Sequence, residues 1–201
     1  FQRLRRAGYE VLCLTISSRL SGTYANAVLA AKELGGSHIE VVDSLTTCSG
    51  LYLLIREARK RIREGAKLSA VVKELKELRK RVRMRFSVDD MAPLRRSGRL
   101  GNVRMSISTV LNIKPILELK DGAIVSVSLA RGRVEQTRRL CAFCEGVEGE
   151  IVVNSFLADE GAARLAVQLA GDTREIERRR VGPVLGAHLG AGCLGVCYIE
   201  R

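Results

Sequence analysis

The stretch Ser17-Ser18-Arg19-Leu20-Ser21-Gly22-Thr23 lies between an apolar run, Tyr9 to Ile16, and a helical pattern that starts at Tyr24. A strand-to-helix junction leaves backbone N–H groups unpaired and aims the positive end of the helix dipole at the loop. Gly22 lets an anion approach the backbone, and Ser21 and Thr23 add hydroxyl donors. The stretch therefore suits a phosphate or a carboxylate, although the same residue types also serve as ordinary helix N-caps. A second constellation is Gly182-Pro183-Val184-Leu185-Gly186-Ala187-His188-Leu189-Gly190-Ala191-Gly192, where repeated glycines imply tight turns or close backbone approach around one histidine. His188 is one of two histidines in the chain, and a lone histidine is more often a structural hydrogen-bonder than a catalyst, although the glycine-rich surroundings favour a functional role. A third is Leu94-Arg95-Arg96-Ser97-Gly98-Arg99-Leu100-Gly101, a basic loop that can hold a phosphate, dock an acidic partner or stay solvated. Arg131-Gly132-Arg133 is of the same kind.

Other chemistries are poorly served. Ser21 with His188 would be the pair for an acyl hydrolase, but Ser21 lacks a Gly-x-Ser-x-Gly elbow and no acidic residue near His188 stands out as a third member. Cys141-Ala-Phe-Cys144 has zinc or redox spacing, yet it falls in a helical pattern and no second Cys/His pair complements it. No Walker-type Gly-rich Lys loop is present, so a phosphotransferase acting alone is not supported.

The elements that must position these residues are legible in outline. Tyr9 to Ile16 reads as a buried parallel strand, Tyr24 to Leu34 as a helix closed by Gly35-Gly36, and Ile39 to Val42 as the next strand, ended by Asp43-Ser44. A helix to about Gly65 places Leu51, Leu54, Ile55, Ala58 and Ile62 on one face, and a second runs from Leu68 to Val82, with Glu57–Arg61 and Glu77–Arg81 as i,i+4 pairs. Strand, helix, strand, helix predicts a parallel, Rossmann-like sheet. After Arg83 the pattern changes to strands at 84–88, 113–119 and 123–129 around an Asp121-Gly122 hairpin turn, with a short helix at 105–111. A helix at 133–146, a strand at 150–156, a helix at 159–169 and strands at 175–181, 184–186 and 194–199 follow. This predicts an α/β chain with domains at 1–84 and 85–201, the second α+β.

The chain of 201 residues carries a formal net charge of +12. That balance points toward nucleic acid, anionic membrane or acidic protein, or else reflects solvated helix faces. Interleaved aromatics and a reader motif are missing for a nucleic-acid module. No apolar run is long enough to predict a membrane span. The six cysteines show no disulfide framework and read as buried thiols of a cytoplasmic protein.

Taken together, these segments resemble the DegV family. The resemblance rests on Ser17 to Tyr24, on Val41-Val42-Asp43-Ser44, on Ser97-Gly98-Arg99-Leu100, on Leu111-Asn112-Ile113-Lys114-Pro115-Ile116-Leu117, and on Gly186-Ala187-His188 with Gly190 and Gly192. It implies two α/β domains with one long-chain fatty acid between them, and no further cofactor. Its carboxylate would be held by Ser21, Gly22 and Thr23 with His188 close by, and its tail by an apolar tunnel largely in the second domain. It further implies a carrier without catalysis of its own, presenting the acid to a separate fatty-acid kinase, with Arg99 and Arg131 in the docking loops. Two departures stand out. The chain opens on Phe1-Gln2-Arg3 and reads as a fragment beginning inside a helix, lacking a first strand and a Thr/Ser loop that the family carries upstream. Ser97 also stands where the family favours Gly.

Overall fold

A computed structural model describes residues 1–35, 38–100, 112–171 and 176–201. It divides into two compact units, Phe1–Val82 and Arg83–Arg201.

In the first unit, a short helix α1 (Gln2–Arg6) precedes β1 (Val11–Thr15), α2 (Thr23–Glu33) and β2 (Ile39–Asp43). β1 and β2 pair in parallel from Val11↔Ile39 to Thr15↔Asp43. Parallel strands need a crossover, and α2 supplies it. Val11, Ala31 and Ile39 form the small core beneath it, with Phe1, Leu34 and Val41 at its margin. Two helices follow, α3 (Cys48–Arg63) and α4 (Leu68–Leu78), and they bury Leu53, Leu54 and Ala58 together with Val71, Val72 and Leu75. Ile55 and Ile62, expected on the buried face of α3, are 40% and 51% exposed, and Leu53 is buried in their place. The expected ion pairs are also redrawn. Arg61 reaches across to Glu74 at 2.7 Å and to Glu64 at 2.5 Å, and Glu77 pairs with Lys80 at 2.8 Å. α4 stops at Leu78, a single 3-10 turn spans Arg79–Arg81, and Val82 opens the next strand instead of closing the helix.

The second unit runs β3 (Val82–Ser87, its first residue at the boundary), α5 (Ala92–Arg96), β4 (Ile113–Lys120), β5 (Ala123–Arg131), α6 (Gly132–Ala142), β6 (Ile151–Phe156), α7 (Asp159–Ala170), β7 (Glu177–Arg180), α8 (Pro183–Leu189) and β8 (Cys193–Ile199). The sheet order is β5-β4-β3-β8-β6-β7. β4 is antiparallel to β3 and β5, and β6 is antiparallel to β8 but parallel to β7. Asp121 and Gly122 both take positive φ, 50° and 81°, as the two-residue hairpin between β4 and β5 requires. One sheet face packs on α6 and α7 through Leu140, Ile151, Val153, Leu165, Leu194 and Val196.

Three further expectations are corrected here. Residues 184–186 are part of the helix α8, not a strand: Pro183 fits a helix first turn, and Gly190, at φ 77°, ends it. α6 ends at Ala142, four residues before the expected Gly146, and the segment read as a plain basic loop contains α5. The helix expected at 105–111 lies outside the described residues.

Candidate ligand site

The Ser-Gly-Thr loop leaves the carboxyl end of β1 and enters α2 with Gly22 as N-cap. Ser21 Oγ lies 2.8 Å from Thr23 Oγ1 and accepts the Thr23 N–H at 3.3 Å. The loop is held from below by Ser17, which is fully buried and whose backbone carbonyl receives the N–H groups of Leu20 and Ser21 at 3.0 and 3.1 Å. Ser21 is half-buried and Gly22 and Thr23 are exposed, so the paired hydroxyls face outward from a rigid base. A carboxylate there would meet two hydroxyls at the positive end of an eleven-residue helix.

Sequence reasoning missed the second half of this base. Asp43 at the end of β2 accepts the N–H of Ser18 at 3.2 Å and of Leu45 at 2.9 Å through one oxygen, Oδ1. Its backbone carbonyl takes Arg79 Nη1 at 2.5 Å. Ser17 N–H donates to the Thr46 carbonyl at 2.8 Å, and Ser44 Oγ donates to the same oxygen at 3.1 Å while accepting the Thr46 N–H at 3.2 Å. The chain turns through left-handed conformations at Leu45 (φ 54°), in the loop after β2, and at Cys48 (φ 49°), the first residue of α3. A Cβ at Gly50 would fall 2.1 Å from Thr46 Oγ1, so only glycine fits there. The run of hydroxyls Ser44, Thr46, Thr47 and Ser49 ahead of an amphipathic helix was the available signal. Thr15 Oγ1, at the end of β1, is buried without a hydrogen-bond partner, as is Arg79 Nε.

His188 belongs to the second unit, on the last turn of α8, and is half-buried. Its helix is seated by glycines. A Cβ on Gly186 would strike the Phe156 ring at 2.2 Å, and one on Gly190 would touch Pro93 of α5 at 3.0 Å. A Cβ on Gly192 would lie 2.2 Å from Asp89 Oδ2. Asp89 is itself clamped, by Arg133 Nη2 at 2.5 Å and by Lys114 Nζ at 3.0 Å, the latter an ion pair whose angle is unsuited to a hydrogen bond. Arg133 continues to Gln136 at 3.3 Å, and the fully buried Gln136 donates to Ser87 Oγ at 2.9 Å. Asp89, Lys114, Arg133 and Gln136 thus form a polar chain that ties β3 and the turn after it to β4 and α6, with Gly192 close against Asp89.

Arg99 lies in the turn after α5, with its guanidinium on the Ser97 carbonyl. Arg131 is exposed at the start of α6, and its N–H donates to Glu135 at 2.7 Å. That bond, followed by Arg139, holds the Glu135 carboxyl below its ordinary pKa. The structure therefore brings Ser21 and Thr23 together, and places His188, Arg99 and Arg131 in the other unit. Ser21 Oγ pairs with the Thr23 hydroxyl instead of a general base, which gives no support to a hydrolase.

Among the described residues no group of His, Cys, Asp and Glu could hold a metal ion. Cys141 and Cys144 are free thiols, and burial, then Glu145, pushes the Cys141 pKa up, away from a reactive thiolate. A groove of about 580 Å³ between α6 and α7 mixes polar side chains, among them Arg133, Thr137 and Glu160, with the apolar Val134, Leu157 and Leu194. No described helix is long and apolar enough to cross a membrane.

Comparison with known proteins settles the family. A family model described as "Uncharacterised protein, DegV family" matches residues 1–201. The chain belongs to the DegV family. A DegV domain-containing protein of Halalkalibacterium halodurans is 31% identical over 212 residues, covering all of this chain and 74% of the relative. Among solved structures, a DegV family protein from Thermus thermophilus, described by its fatty-acid binding, is 31% identical with a TM-score of 0.86, over 99% of this chain and 75% of that one. A fatty-acid-binding DegV family protein from Streptococcus agalactiae gives 26% identity and a TM-score of 0.89, over 100% and 74% of the two chains. The two solved DegV structures share the α/β fold of this chain, and all three relatives come from bacteria.

Proposed function

We propose that this DegV protein is a cytoplasmic carrier of one long-chain fatty acid, without catalysis or a further cofactor, that presents its ligand to a partner fatty-acid kinase. The observation that carries the reading is the Ser21–Thr23 hydroxyl pair, 2.8 Å apart at the amino end of α2, in a chain whose structural relatives bind fatty acids. In this reading Ser21, Gly22 and Thr23 hold the carboxylate and His188 belongs to the head-group network. A buried carboxylate without partners costs several kcal/mol, so convergent donors are a requirement.

The tail is assigned to the sheet face opposite α6. Strand alternation sets Met84 and Phe86 against Ser87, whose hydroxyl meets Gln136 of α6. Phe86 pairs with Leu117, so Pro115, Leu117 and Leu119 share its face, and Cys193, Gly195 and Cys197 lie on the side of β8 away from Leu194 and Val196. All these residues are buried and almost none is polar. Each CH₂ removed from water against such a face contributes about 0.8 kcal/mol.

Native mass spectrometry of the purified protein, followed by denaturing extraction, tests the carrier reading. The expected result is a mass excess equal to one fatty acid, whose chain length the extract identifies. A protein that shows no adduct and binds no added fatty acid would refute it. For the docking loops, Arg99→Ala is expected to leave fatty-acid affinity unchanged and to lower acyl phosphate formation by the partner kinase about tenfold or more, as loss of a charge-assisted contact of roughly 1.5–3 kcal/mol requires. Equal losses in both assays would move Arg99 from docking to ligand binding or folding.

A further inference from the structure

The outer surface of α3 has no role in the carrier reading. Arg56, Arg59, Lys60 and Arg63 are all exposed on one side of the helix, opposite the buried Leu54 and Ala58. Arg59, Lys60 and Arg63 make no ion pair among the described residues, and Arg56 lies over the Tyr52 ring at 5.5 Å. The nearest acids on the helix are Glu57 and Glu64, and Glu64 is engaged by Arg61. Arg56–Lys60 and Arg59–Arg63 are like-charge neighbours at i,i+4, an arrangement that destabilises a helix by a few tenths of a kcal/mol per pair. On the flank of this basic side, Ile55 and Ile62 are 40% and 51% exposed, about two helical turns apart.

A strip of exposed cations edged by exposed aliphatic side chains complements one kind of surface: anionic head groups, with an apolar layer just beneath them. A nucleic-acid backbone would match the cations but offers nothing to the isoleucines. We propose that α3 docks this protein peripherally on anionic bilayers, with Arg56, Arg59, Lys60 and Arg63 on the head groups and Ile55 and Ile62 at the acyl boundary. This contact lies on the surface and inserts no helix. It is independent of fatty-acid binding, and its test needs no fatty acid.

The test is co-sedimentation of the whole protein at low ionic strength with phosphatidylcholine vesicles, with vesicles containing phosphatidylglycerol, and in parallel with duplex DNA. Binding to the anionic vesicles and not to phosphatidylcholine alone is expected. Each surface cation contributes roughly a factor of five, so Arg59→Gln/Arg63→Gln should weaken that binding about thirtyfold at unchanged melting temperature. Ile55→Ser/Ile62→Ser should weaken it as well. No binding to anionic vesicles, or unchanged vesicle affinity in either double variant, would overturn the proposal. Tighter binding to DNA, lost in Arg59→Gln/Arg63→Gln, would reassign the strip to nucleic acid.

Discussion

Ser21→Ala is expected to raise the dissociation constant for a long-chain fatty acid about 10- to 100-fold, with little change in melting temperature. A hydrogen bond to an ionised carboxylate is worth about 1.5–3 kcal/mol, and each 1.4 kcal/mol is a factor of ten in affinity. The fold should tolerate the change, because Ser21 Oγ is bonded only locally, to the hydroxyl and N–H of Thr23. The loop's own scaffold runs through Ser17, Asp43 and Thr46, which the substitution leaves alone. Displacement of a fluorescent fatty acid would report the affinity, with His188→Ala measured beside it. Unchanged affinity in both variants would move the carboxylate to another part of the molecule.

Gly192→Ala should destabilise the second unit by about 2–4 kcal/mol. Two effects combine. Gly192 sits at φ 82°, a left-handed conformation that costs a residue with a Cβ roughly 1–2 kcal/mol. The new methyl would also press on Asp89 Oδ2 at 2.2 Å, and overpacking of this kind typically costs about 1–3 kcal/mol. Asp89 cannot swing aside cheaply, because Arg133 and Lys114 hold it. Gly182→Ala is the matched control: a Cβ there would meet nothing within 4 Å, at an ordinary negative φ. Thermal unfolding should separate the two variants by about 10 °C. Equal melting temperatures would mean that the Asp89 cluster yields freely and carries no strain.

Much of this was legible in the residues, for reasons that can be named. The β1–α2–β2 crossover showed itself because its strands are short apolar runs, its helix is periodic and Gly35 marks the helix end. The hairpin turn at Asp121-Gly122 was equally plain, since few residue pairs accept two successive positive φ angles. Helix α8 was hidden because glycine signals turns when read locally, whereas Gly186 is there for the Phe156 ring packed against it. The turns at Leu45 and Cys48 were hidden for the opposite reason: neither residue type favours φ near 50°. Surrounding hydrogen bonds from Asp43 and Ser44 hold that loop, and no local propensity reveals them. Ile55 and Ile62 fit the helical period of a buried face, yet period alone does not say which apolar positions a neighbouring element covers.

The position of β8 has a consequence for how the protein is made. This strand, Cys193–Ile199, lies in the interior of its sheet, hydrogen-bonded between β3 and β6, while β3 is the first strand of its unit to be synthesised. The hairpin β4–β5 can form as soon as it emerges, and so can the unit Phe1–Val82, whose strands are joined by a single helix. The six-stranded sheet cannot close until Cys193–Ile199 has left the ribosome. Until then β3 and β6 each leave an edge of unpaired backbone N–H and C=O groups open, and closure must bring together segments far apart in sequence, which is the slow kind of contact. During translation the nascent second unit is thus exposed to aggregation until its last strand emerges.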